Sequence, residues 1–213
     1  MTPSPLDPVD VADLLDWKRR IFDLYARVRA SADSLEGWGA WRATRDELFA
    51  SHPQSPLPSE SRASFRGLPY FDYDPAARVE ATVEAAAPEH YDIATSGDGT
   101  YGFTRYARAT FELYGRETTL ELYWLDGYGG GLFLPFRDGT SGHETYGAGR
   151  YLLDTVKGAD LGTTPDGKLV LDFNFAYNPS CAYDPRWVCP LAPPPNRLDV
   201  AIRAGPLNDS TLV

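Results

Sequence analysis

The sequence is poor in the residues that most often announce a chemistry: its 213 residues include two cysteines, one methionine and three histidines. Two thiols cannot complete a four-ligand structural zinc site alone, and no CxxC or His-Glu-x-x-His spacing is present. Basic residues are also scarce, 20 Lys and Arg against 30 Asp and Glu, for a net charge of −10. That balance repels phosphate backbones and anionic lipid, which argues against nucleic acid as a partner. No apolar run approaches the roughly 18 to 20 residues that span a bilayer, and Met1–Pro5 has neither the basic nor the apolar region of a secretion signal. The expectation is a soluble, cytoplasmic protein without a membrane partner. What is present suits one well-filled core, with 43% hydrophobic and 13% aromatic residues, and a single domain over 1–213 is expected.

Residues 1–52 read as helical. Asp7 can cap a helix with Pro8 at its first position, and Val11, Leu14, Leu15, Ile21, Phe22, Tyr25 and Val28 follow at spacings of three and four. A second helix starts near Gly37, carries Trp38, Trp41, Leu48 and Phe49 on one side, and is stopped by Pro53. Residues 53–67 are rich in Pro and Ser and form a connector. From 68 to 213 the period falls to two and β-branched and aromatic residues dominate. Strands are expected at 68–72, 78–85, 89–95, 101–114, 117–126, 131–136, 149–154, 168–176 and 198–203. Gly115-Arg116 supplies the glycine a type II′ turn needs at its first central position, which would pair Phe111 with Leu120, Ala109 with Leu122 and Ala107 with Trp124. Together these elements predict an α+β fold: two N-terminal helices packed on an antiparallel β-barrel or strongly curved β-sheet.

Three stretches concentrate polar chemistry. In Asp138–Tyr151 four glycines separate many hydrogen-bonding side chains, and Arg150 offers a planar fork suited to an anion. The bland alternative is a hairpin loop that satisfies itself, with Arg150 paired to Asp138, Glu144 or Asp172. In Leu169–Pro179 alternation puts Asp172 and Asn174 on the face opposite Leu169, Leu171, Phe173 and Phe175, aimed either into a barrel lumen or at water. The third stretch holds Cys181 and Cys189 in a Pro-rich loop. A structural thiol pair or latent disulfide asks least of the rest of the chain. A metal would require His52, His90 or His143 from afar, and a reactive thiol would require a thiolate-stabilising group that the local sequence does not supply. The tryptophans Trp38, Trp41, Trp124 and Trp187 are expected in the core.

These stretches, from Ser55-Pro56-Leu57 through Asp138-Gly139-Thr140, Glu144–Gly147, Gly149–Leu152 and Asp172–Pro179 to Cys181 and Cys189–Pro194 with Asn196, resemble a prokaryotic family known only as a domain of unknown function. The resemblance runs over nearly the whole chain. It implies no transferable activity or cofactor, but it implies that the three stretches converge in space.

The functional expectation is therefore a pocket in or at the mouth of the barrel that binds a small anionic molecule. Arg150 would pair the anion, Tyr146, Asp172, Asn174 and Asn178 would orient the ligand, and Glu144 or Asp172 would serve as general acid or base if the protein is an enzyme. A metal-binding or thiol-dependent protein centred on Cys181 and Cys189 is the second expectation, and a noncatalytic protein-interaction module the third. The sequence names neither a cofactor nor a protein partner.

Overall fold

The Asp7 carboxylate accepts a hydrogen bond from Val9 N at 2.8 Å, and Pro8 opens helix α1, Pro8–Ala30, in the computed structural model, which describes residues 7–208. The opening residues Met1–Pro5 lie outside that range. Helix α2, Ser34–Ser51, begins three residues earlier than its apolar pattern implies, because Asp33 caps it by accepting from Leu35 N and Glu36 N. The connector contains one helical turn, α3 at Ser59–Arg62, and Arg62 ties the loop together by donating to the carbonyls of His52, Pro53 and Leu57.

Six antiparallel strands follow: β1 Arg78–Ala94, β2 Thr100–Leu113, β3 Arg116–Leu125, β4 Leu132–Phe136, β5 Arg150–Asp154 and β6 Leu169–Asp172, in the order β5-β4-β3-β2-β1-β6. Just beyond β6, Tyr177 exchanges both backbone hydrogen bonds with Tyr151 of β5, at 2.9 and 3.0 Å. The two edges of the sheet thus meet, and the curved sheet nearly closes into a barrel.

The expected strands at 78–85 and 89–95 are a single strand, irregular around Pro88, where a missing N–H is tolerated. The stretch at 68–72 forms one isolated bridge, Tyr70 with Pro206, and 198–203 runs without regular pairing. The strand expected over 168–176 stops at Asp172, whose carboxylate caps a 3-10 turn at Phe173–Phe175. The β2–β3 hairpin turns on Tyr114 and Gly115, both at positive φ (52° and 74°), the requirement of a type I′ turn. Its pairs are Phe111 with Thr118, Ala109 with Leu120 and Ala107 with Leu122, two residues away from the expected register. A shift of two leaves every side chain on its original face, so alternation alone could not distinguish the two registers.

Between Arg105 and Ala107 a bulge interrupts β2. Before it, Phe103 joins a core layer built with Ile21, Leu24, Tyr25, Trp38, Trp41 and Leu48 of the helices. After it, Ala107, Ala109 and Phe111 face a second layer with Leu134, Phe136, Leu171 and the C-terminal Leu198 and Ile202. The helices cover only the first layer. Helix α1 buries Ile21, Leu24 and Tyr25, whereas Leu14, Leu15 and Phe22, expected on the same buried stripe, are about half exposed. Trp124, also expected in the core, is 47% exposed.

Candidate functional site

The Asp138–Tyr151 loop is a closed polar knot. Arg150 is 0% exposed, and its Nη2 donates to Asp138 Oδ1 at 3.2 Å and to Ile202 O at 3.1 Å, while Nη1 donates to Ala204 O. Asp138 also accepts from Thr140 Oγ1 at 2.9 Å and Ile202 N at 2.7 Å. No donor of Arg150 faces a cavity large enough for a ligand among the described residues, so the self-satisfied loop, with Asp138 as partner, is the arrangement adopted. Gly149 has a positive φ of 102°, and a Cβ there would fall 2.7 Å from Phe136 O, so this glycine serves strand packing.

Asp172 and Asn174 are buried but equally committed. Asp172 accepts from Asn174 N at 3.0 Å, Asn174 Nδ2 at 2.8 Å and Tyr73 Oη at 3.3 Å. Burial pushes the Asp172 carboxyl above its usual range, and the bonds from Asn174 only partly offset this. Asn174 bonds Asp74 N and O through its amide, and Trp38 Nε1 donates to its carbonyl at 3.0 Å. The pair ties the end of β6 to α2 and to the turn before β1. Glu144 lies at the surface in a two-bond pair with Arg203, at 2.8 and 3.0 Å, and its neighbour His143 is exposed. The pairing holds Glu144 below the usual carboxylate range, the wrong direction for a general acid at neutral pH. Glu144, Asp172, Asn174 and Arg150 therefore do not converge on a common cavity.

Two of the three stretches meet elsewhere. Tyr146 Oη lies 3.7 Å from Cys181 Sγ, which joins the first loop to the cysteine loop. Cys181 and Cys189 are both free, and Cys189 N donates to Ser96 Oγ at 3.1 Å. Donation from Cys189, Ser96 and Tyr146 lowers Cys181 to about 6, and the same Cys181–Cys189 bond raises Cys189. Two of the thiolate-stabilising groups, Ser96 after β1 and Tyr146 of the 138–151 loop, are far away in sequence. Among the described residues no group of three or more His, Cys, Asp or Glu side chains is arranged to hold a metal ion: His52 pairs with Asp16 and His90 with Asp126.

Cys189 lines one wall of a pocket of about 360 Å³. The opposite walls come from Leu14, Trp17 and Lys18 of α1, from Phe103, Leu125 and Phe133 of the sheet, and from Trp187 and Val188 of the cysteine loop. Phe103 and Phe133 stack at 4.9 Å between ring centroids. Lys157, on a 3-10 turn after β5, reaches Asp154 at 3.4 Å at the pocket edge. Of the exposed apolar residues of α1, Leu14 lines this pocket. Adjoining it is a smaller chamber of about 60 Å³, lined by Tyr25, Arg45, Tyr177 and Asn178, that shares Trp17, Pro56, Lys157 and Ser180 with the larger one. Of the residues expected to bind a ligand, Asn178 lines a cavity and Tyr146 contacts the thiol pair. Sequence reasoning missed Trp17, Lys157 and Arg45. Arg45 carried a legible signal, because it stands four residues after Trp41 and three before Leu48 on the apolar face of α2.

The family model described as protein of unknown function (DUF1684) matches residues 63–206. A solution NMR structure of an uncharacterized protein of Haloarcula marismortui is 41% identical, with a TM-score of 0.59, over 81% of this chain and 92% of that one. Among curated proteins none matches. The connector's end, the nearly closed sheet, the polar knot and the cysteine loop all fall inside the matched span, and the chain belongs to the DUF1684 family.

Proposed function

We propose that this protein binds a small, largely apolar molecule with an anionic end in the pocket between α1, the sheet and the cysteine loop. The observation that carries this reading is the pocket itself, with about 360 Å³ of space walled mainly by aromatic and aliphatic side chains, and with Lys18 and Lys157 as its cations in a chain of net charge −10. Apolar concavities of that size with a few polar groups at one side are the usual form of small-molecule sites. The anion-pairing role expected of Arg150 passes to cations that border the cavity.

An environment-sensitive dye such as anilinonaphthalene sulfonate tests the reading, since it is anionic and apolar. The parent protein should bind it with enhanced fluorescence, and Leu14→Glu or Val188→Glu, which place a carboxylate on the wall at half-exposed positions, should abolish the signal with near-UV circular dichroism unchanged. No enhancement by the parent, or equal enhancement by both variants, would sink the proposal.

A second reading rests on a separate observation, the contact of two free thiols with Tyr146 and Ser96. In it Cys181 is a nucleophilic thiolate and Cys189 its partner, with Cys189 exposed to whatever fills the pocket.

A further inference from the structure

We infer that the small chamber adjoining the apolar pocket is a receptor for the carboxylate of the bound molecule, with Arg45 as its cation. This rests on the pocket reading above and names the class of ligand: a monocarboxylic acid with an apolar body.

Arg45 is 6% exposed. Its guanidinium lies among the rings of Trp41, Phe49 and Tyr177, at 4.8, 5.3 and 5.2 Å. Its one hydrogen bond among the described residues runs from Nε to Tyr70 Oη at 3.3 Å, and no carboxylate comes within 4 Å of it. The other two deeply buried arginines are closed in the usual way, Arg150 by Asp138 and Arg105 by Glu121 at 2.9 Å. Aromatic faces attract a guanidinium but accept no hydrogen bonds in its plane from its terminal nitrogens. A buried, permanently charged fork with free terminal donors is the complement of a planar anion.

A second donor of the chamber fits the same occupant. Tyr25 Oη has no hydrogen-bond partner. Burial pushes the Tyr25 phenol up to about 12, so its O–H stays available as a donor. Two carboxylates stand near the chamber without lining it: Asp154 is answered by Lys157 at 3.4 Å and by Tyr177 Oη at 3.4 Å, and Asp46, beside Arg42 and Arg45, accepts from Leu68 N at 2.9 Å. Of the two cations that line the chamber, Lys157 is paired with Asp154 and Arg45 has no carboxylate within 4 Å, which suits a monoanion. About 60 Å³ holds a carboxylate headgroup, and the shared walls at Trp17 and Lys157 lead the apolar body into the larger pocket.

Titration calorimetry with octanoate and octan-1-ol, chains matched in length and differing in charge, separates the possibilities. The parent should bind octanoate at least tenfold more tightly than the alcohol. Arg45→Met should erase that preference while still binding octan-1-ol, and Tyr25→Phe should weaken octanoate severalfold without changing the alcohol. Equal affinity of the parent for acid and alcohol would overturn the chamber assignment and leave the pocket standing, as would a preference that Arg45→Met and Tyr25→Phe both leave intact. Binding of neither molecule by the parent would overturn the pocket reading itself. If Arg45→Met fails to fold, the parent's preference and the Tyr25→Phe variant decide the matter.

Discussion

Arg150 and Asp138 form an ion pair with both side chains wholly removed from solvent, the guanidinium 3.2 Å from the carboxylate. Through it the 138–151 loop, β5 and the backbone of Ile202 and Ala204 are drawn together. Removing one partner leaves the other charge buried. Arg150→Met should therefore lower stability by about 3–5 kcal/mol in urea denaturation, and Asp138→Asn in that background should return part of the loss. Arg45→Met strands no buried carboxylate and should fall within about 1 kcal/mol of the parent. Equal destabilisation by the two arginine substitutions would contradict the distinction drawn between them.

Cys181 should alkylate like a low-pKa thiol. Its thiolate is favoured by hydrogen bonds from Cys189, Ser96 and Tyr146, so the rate of iodoacetamide modification should rise with pH about a midpoint near 6 and level off above it. Cys189 has the opposite shift and should react far more slowly at pH 7. Tyr146→Phe should move the Cys181 midpoint upward. A midpoint in the ordinary range near 8.5 would remove the basis of the thiol reading.

Two glycines should respond in opposite directions to the same added methyl group. Gly115 has φ of 74° with open space around a built Cβ, so Gly115→Ala should lower stability by about 1 kcal/mol through backbone conformation alone. Gly39 lies exposed in the middle of α2, again with nothing within 4 Å, and Gly39→Ala should raise stability by about 0.5–1 kcal/mol. The denaturation midpoints of the two variants, at unchanged slope, check both.

The start of α1 was legible because Asp7 and Pro8 act locally, and the antiparallel strands because their alternation is intact over most of β2 and β3. The hairpin register was not, since a positive φ at Tyr114 is a tertiary outcome that residue type does not announce. Nor could alternation survive the bulge at Arg105–Ala107, which sends Phe103 and Phe111 to different layers although both numbers are odd. For the site, the sequence directed attention to an arginine in a polar loop. That is the environment most able to close an arginine off, as Asp138 does. The arginine that borders a cavity lies on a helix with its guanidinium against the rings of Trp41, Phe49 and Tyr177, where no carboxylate comes within salt-bridge distance of it.

The bulge in β2 has a mechanical consequence. Because one strand contributes Phe103 to the layer under the helices and Phe111 to the layer under the C-terminal segment, no cut in the chain can separate the two. Melting should accordingly proceed as one cooperative transition, with tryptophan fluorescence, which reports on the helical side, and far-ultraviolet ellipticity superimposing. Deleting α1 and α2 would leave half of β2 facing water, and the excised sheet should aggregate.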